Sequence, residues 1–130
     1  MYKRQGHSVS FVGNVHEGPH ALNGRNTTLM RPGMIVTDEP GVYETDLVGI
    51  RIENELVCVH KADNQYGTFL GFEPIMFVPI ATSPIVPGVL TKDELDWLNN
   101  YHRQVFEKLA PRLNDEEREW LAKKCAAIGC

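Results

Sequence analysis

The run Thr37-Asp38-Glu39-Pro40-Gly41-Val42-Tyr43, with Ile50-Arg51-Ile52-Glu53-Asn54 close behind it, constrains this chain more than any other stretch. Ile35 and Val36 lead into the first run as a short strand, and Pro40-Gly41 then turns the chain. A second strand over residues 48–60 carries Arg51 and Glu53 on one face and puts Ile50, Ile52 and Leu56 largely on the other. A carboxylate at a strand end and another inside an apolar strand cost free energy to bury unless positive charge meets them. The economical explanation is a metal site, with Glu39 and Glu53 as oxygen ligands and an imidazole nearby. A blander reading of the same residues is a surface hairpin in which Glu53 faces water or pairs with Arg51.

Three of the five histidines, His7, His16 and His20, fall in the first twenty residues, ahead of both glutamates. Imidazole and carboxylate donors suit zinc, manganese, iron or cobalt. Two carboxylates able to bridge, together with a histidine, are also a common composition for a two-metal hydrolytic centre. His7, after Gly6 and ahead of an apolar stretch, is the best candidate ligand; its alternative is a half-exposed ring bonded to a backbone carbonyl. His16, beside Glu17, reads as a substrate contact or as a ring stacked in a loop. His20, His60 and His102 have no comparable company, and His102 sits in a helical pattern where packing is the default. No nucleophile elbow, phosphate loop, zincin helix or EF-hand loop occurs, and Ser8 and Ser10 lack partners that would mark them as nucleophiles.

With 130 residues, 42% of them hydrophobic, the chain is an ordinary soluble domain able to bury one core. The net charge of -4 argues against binding nucleic acid. No apolar stretch reaches membrane-spanning length, and the first residues lack the apolar region of a signal peptide, so the expectation is a cytoplasmic protein without a membrane partner. Cys58, Cys125 and Cys130 are widely spaced, which suits a reducing compartment better than a disulfide framework.

Residues 9–12 are predicted as a strand with His7 at its entrance, residues 21–31 as a loop turning at Asn23-Gly24, and Arg31-Pro32-Gly33-Met34 as a turn. Residues 61–67 read as a polar connection, and residues 68–80 as one or two strands broken at Glu73-Pro74. No βαβ period is visible, so the sheet is antiparallel or mixed. After a loop over 81–90, Thr91 and Glu94 form a capping box. Leu95, Leu98, Tyr101 or His102, Val105, Phe106 and Leu109 then keep helical spacing up to Pro111. Asn114 and Glu117 cap a shorter helix through Trp120, Leu121 and Cys125, extending toward Ile128. The fold class is α+β, a sheet-rich body over 1–80 followed by a helical hairpin over 81–130.

In this order the segments resemble the C-terminal part of the Xaa-Pro aminopeptidases (aminopeptidase P) of the pita-bread metallopeptidase family. Gly6-His7 and Asn14-Val15-His16-Glu17-Gly18-Pro19 resemble its histidine segment. Residues 32–43 resemble its first glutamate segment, and residues 49–54 its second. Phe72-Glu73-Pro74 through Val78-Pro79-Ile80, then Asp96-Trp97-Leu98-Asn99-Asn100-Tyr101-His102, resemble the tail of its long members. The resemblance implies metal ligation by His7, Glu39 and Glu53, with Glu53 bridging two ions. It also implies general acid/base work by Glu39, a substrate contact at His16, and orienting roles for Tyr43 and Arg51. It implies removal of the N-terminal residue from peptides with proline second, two manganese ions (zinc or cobalt as alternatives), and a homodimer formed through the C-terminal region.

Two departures accompany the likeness. The family takes two aspartate ligands from strands ahead of its histidine segment, and no aspartate here matches them, so the 130 residues alone are expected to bind one ion weakly or none and to show little activity. Lys3-Arg4-Gln5-Gly6-His7-Ser8 also replaces the family's His-Gly-Thr-Gly-His-Gly, with Lys3 in place of an outer histidine and Ser8 in place of a glycine. The alternatives left open are a non-catalytic truncated homologue acting as an oligomeric or structural protein, and a dipeptidase or creatinase-like hydrolase on the same fold.

Overall fold

A computed structural model of the chain describes residues 2–3, 6–86 and 88–129, residues 2 and 3 by their backbone alone. The proposed departures at Lys3 and Arg4, and the third cysteine, Cys130, therefore lie outside the described side chains. The chain divides into two compact units, Met1–Met76 and Phe77–Cys130.

Among the described residues the first unit holds eight strands: β1 (Tyr2–Lys3), β2 (His7–Ser8), β3 (Glu17–Ala21), β4 (Ile35–Asp38), β5 (Gly41–Glu44), β6 (Val48–Arg51), β7 (Asn54–Asn64) and β8 (Gly67–Pro74). They pair antiparallel as β1-β5-β6, β2-β3 and β4-β7-β8. The second strand expected over 48–60 is thus two strands in two sheets. Its break at Ile52-Glu53 faces the break at Glu39-Pro40, because proline offers no N–H to continue a ladder. The register does not slip across this kink. Asp38 pairs with Asn54 and Gly41 with Arg51, and the Ile52 amide donates to the Pro40 carbonyl at 3.3 Å.

The turn at Arg31-Pro32-Gly33-Met34 forms as its residues require. Met34 N–H bonds the Arg31 carbonyl at 3.1 Å, and Gly33 takes φ of 89°, a conformation glycine reaches without a Cβ penalty. Residues 9–12 form no strand. The Ser10 hydroxyl accepts the amides of Val12 and Gly13 at 3.3 and 2.7 Å, so the groups a neighbouring strand would need close a local loop instead, leaving Phe11 and Val12 in solvent. Residues 61–64, read as a connection, extend β7, and β8 returns along it after a turn at residues 65–66. Polar pairs span this hairpin, Lys61 to Glu73 at 2.8 Å and Thr68 to Asp63 at 2.7 Å, while His60 bonds Asp63 within β7 at 2.8 Å. Such pairs stabilise a ladder without producing apolar alternation.

In the second unit, α1 (Lys92–Leu109) and α2 (Asp115–Lys124) are joined by a 3-10 turn, Ala110–Arg112. Both capping boxes form: Thr91 with Glu94, and Asn114 with Glu117. The N–H of Thr91 and its hydroxyl hold the Glu94 carboxyl below its ordinary pKa. Leu95, Leu98, Tyr101, His102 and Val105 make the buried face of α1, and Leu121 of α2 meets Tyr101 and Val105 in the core. Residues 77–80, read from sequence with the first body, belong here. Tyr101 Oη donates to the Val78 carbonyl at 2.9 Å, the Ile80 amide donates to His102 Nε2 at 3.1 Å, and Phe77 and Ile80 pack on the core. α2 stops at Lys124, and Ile128 instead exchanges two 3.0 Å hydrogen bonds with the Asn99 side chain. Among the described residues no helix is long and apolar enough to cross a membrane.

Candidate metal centre

The centre lies in the first unit, where β2 approaches the end of β4. Gly6 permits that approach: a Cβ on it would stand 2.7 Å from both Leu22 Cβ and the Thr37 carbonyl oxygen. His7 follows, half-buried, and its Nδ1 lies 2.9 Å from the Ser8 carbonyl. A carbonyl oxygen only accepts, so Nδ1 carries a hydrogen and donates it. Nε2 is left to face Glu39, whose Oε1 is 2.8 Å away. The reading of His7 as a ring bonded to a backbone carbonyl therefore holds, and that bond fixes the tautomer that presents Nε2 to the carboxylate.

Glu39 is 3% exposed. Its Oε2 pairs with Arg51 Nη1 at 3.0 Å, and its Oε1 accepts from the Thr37 hydroxyl at 3.3 Å. Arg51 Nε donates to Tyr43 Oη at 2.9 Å, and the guanidinium lies 5.8 Å from the Tyr43 ring centre. The hydrogen bond to Tyr43, followed by the charges of Tyr43, Glu39 and Glu53, raises the already high pKa of Arg51 against its partial desolvation. Arg51 is thus a permanent cation that keeps a buried carboxylate paired.

The exposed ring of His16 returns beside His7, with ring centres 4.2 Å apart. His7, His16 and Glu39 offer donor atoms that all lie within 4.8 Å of one another. Glu53 is not in that trio. It is exposed, in the two-residue link between β6 and β7, where the unbroken register puts it opposite Glu39. Of the residues singled out from sequence, His7, His16, Glu39, Arg51 and Tyr43 are thus brought into one connected group, and Glu53 stands at its edge. His20, His60 and His102 lie elsewhere: His20 bonds the Ile35 carbonyl, His60 bonds Asp63, and His102 is enclosed in the helical core.

The donor set fits a divalent cation. With hydrogen on Nδ1, His7 points Nε2 at a carboxylate oxygen 2.8 Å away, a contact that needs a proton or a cation between the two atoms. Nitrogen and oxygen donors with one exposed member leave the group open on the His16 side. Sequence reasoning overlooked Thr37, although its position two residues before Glu39 puts it on the same face of the strand. Ser8, in place of a glycine, is buried, and its hydroxyl donates to the Glu17 carbonyl, tying β2 to β3.

Residues 1–60 match the sequence pattern of metallopeptidase family M24, and residues 68–128 that of the C-terminal region of peptidase M24. Aminopeptidase P2 of Arabidopsis thaliana is 46% identical over 89% of this chain and 17% of its own length. A probable Xaa-Pro aminopeptidase P of Coprinopsis cinerea is 40% identical over 95% of this chain and 21% of its own length. In three dimensions the chain matches the X-prolyl aminopeptidase of Caenorhabditis elegans, described as a cytosolic enzyme with a di-nuclear active site. The TM-score is 0.83 and the identity 36%, over 97% of this chain and 22% of that one. The chain spans about a fifth of the length of these relatives.

Proposed function

The chain belongs to metallopeptidase family M24, of whose aminopeptidase P members it matches the C-terminal part with its α+β pita-bread architecture, and we propose that it carries part of the metal centre of an Xaa-Pro aminopeptidase. The observation that carries this reading is the 2.8 Å approach of His7 Nε2 to the buried Glu39 carboxylate, with His16 alongside. In the complete enzyme His7, Glu39 and Glu53 hold two divalent ions, manganese by first choice and zinc or cobalt as alternatives. Further carboxylates come from residues beyond this stretch. Bound there, the ions supply Lewis acidity toward a water and a peptide carbonyl.

The chain's own residues do the rest. Glu39 accepts the proton of the attacking water and passes it to the leaving amine, its other oxygen paired with Arg51. His16, exposed beside His7, contacts the peptide and steadies charge on the carbonyl oxygen. Tyr43 and Arg51 hold Glu39 in one orientation. The substrate is a peptide with proline second, from which the first residue is released. We place the enzyme in the cytoplasm and assign its homodimer contact to the C-terminal unit, where Trp97 and Trp120 stand 59% and 57% exposed. The 130 residues alone have little or no activity on this account.

The test is hydrolysis of an Xaa-Pro peptide by the complete enzyme with added manganese, before and after Glu53→Gln. Loss of at least about 100-fold is expected for a ligand that serves two ions, at or beyond the usual cost of disturbing a ligand's supporting partner. Undiminished hydrolysis would overturn the assignment.

A further inference from the structure

Thr37, in β4, is buried to 3% exposure where that strand meets β2, a strand of a different sheet. One atom of it serves both. Thr37 Oγ1 accepts the His7 amide hydrogen at 3.1 Å and donates its own to Glu39 Oε1 at 3.3 Å; the His7 carbonyl, at 3.5 Å, is a more distant acceptor. The same Oε1 faces His7 Nε2 at 2.8 Å, so backbone, hydroxyl, carboxylate and imidazole close a ring. A hydroxyl is suited to this place because it accepts and donates through one oxygen.

We infer that Thr37 is a positioning residue of the metal centre: its hydroxyl fixes the separation of His7 from Glu39 and the rotation of the Glu39 carboxylate. This inference rests on the metal reading given above. The rotation matters because Oε2 is held from the other side by Arg51. With both oxygens engaged, the carboxylate keeps Oε1 toward the imidazole. Without the hydroxyl, Oε1 loses its neutral donor and the buried His7 amide loses its acceptor, while threonine's shape can be kept by valine. Gly6 brings the strands close enough for a side chain to span them, and Thr37 sets how close they stay.

The experiment compares Thr37→Val, Thr37→Ser and Glu39→Gln in the 130-residue chain by calorimetric titration with manganese, together with hydrogen exchange at the His7 amide. Valine is expected to weaken manganese binding about 10-fold or more and to speed His7 exchange, and serine to restore both, in line with the cost of losing a ligand's supporting partner. If Glu39→Gln abolishes binding while Thr37→Val binds as the wild type does, the inference about Thr37 fails and the metal reading stands. If Glu39→Gln binds as tightly as the wild type, the metal reading fails in this chain and the inference goes with it; where the wild type takes up no manganese, the His7 amide decides, and unchanged exchange in Thr37→Val overturns the inference. Weakening by serine equal to that by valine would mean that packing, and not the hydroxyl, matters at this position.

Discussion

Glu39 lies opposite Glu53 across the kinked strand pair, and Arg51, two residues before Glu53, reaches across to Glu39 Oε2 at 3.0 Å. Only Glu39 is buried. Two carboxylates facing each other across the two breaks repel, and Arg51, on which both act electrostatically, is the cation the protein itself supplies against that repulsion. A divalent ion would reinforce the same balance.

Replacing Arg51 with methionine therefore leaves Glu39 enclosed with its largest favourable charge gone. A loss of folding stability is expected, moderated because Arg51 itself is exposed to solvent. Lysine should recover only part of it, since one ammonium cannot serve Glu39 and Tyr43 as the forked guanidinium does. Urea unfolding of the three proteins checks this, and equal midpoints would contradict it.

Gly6→Ala puts a methyl 2.7 Å from the Thr37 carbonyl oxygen, a backbone atom that cannot swing aside. A cost of about 1–3 kcal/mol is expected, as for other overpacked positions. The damage should reach His7, visible as a changed ring environment in nuclear magnetic resonance spectra. Gly24→Ala, where a Cβ meets nothing within 4 Å, is the control. A Gly6 variant as stable as that control would show that the approach of β2 to Thr37 is looser than described.

What could be read from the residues follows from the kind of signal each element carries. The helical hairpin was legible because capping boxes and apolar spacing are local, and both boxes form where Thr91 and Asn114 put them. The β7–β8 hairpin was underestimated because its outer half is exposed on both faces and its stabilising pairs, such as Lys61 with Glu73, are far apart in sequence. Residues 9–12 alternate like a strand, but Ser10 spends its hydroxyl on its own loop. His7 and Glu39 could be named as donors from their types and company. That Thr37 joins them, and that His16 returns beside His7, depends on strands meeting across thirty residues and on a loop closing, which no local pattern records.

Asn114→Ala removes the acceptor for the Glu117 amide and half of a reciprocal cap. A loss of about 1 kcal/mol is expected. Because α2 has ten residues, the loss should also appear as reduced far-ultraviolet helix signal at intermediate denaturant. An unchanged unfolding curve would argue that Arg118, which bonds the Leu113 carbonyl at 3.0 Å, holds the helix start alone.

His102 is fully buried, and burial lowers its pKa from the ordinary 6.5. Its Nε2 accepts the Ile80 amide, which requires the neutral ring. In the unfolded chain the ring titrates near 6.5, so between that value and the lower folded one the unfolded state binds the extra proton. The stability His102 contributes is complete above about pH 6.5 and falls as the pH drops below it. Wild type should exceed His102→Phe in unfolding midpoint at pH 7.5, and the gap should narrow by pH 5. A gap that stays constant would mean the imidazole does not change protonation on unfolding.

The most direct test of the metal centre is anomalous diffraction from crystals of this chain soaked in manganese. The account predicts a peak within bonding distance of His7 Nε2 and a Glu39 oxygen, with His7 Nδ1 still donating to the Ser8 carbonyl. A peak at other residues, while His7 and Glu39 keep their 2.8 Å contact, would contradict it.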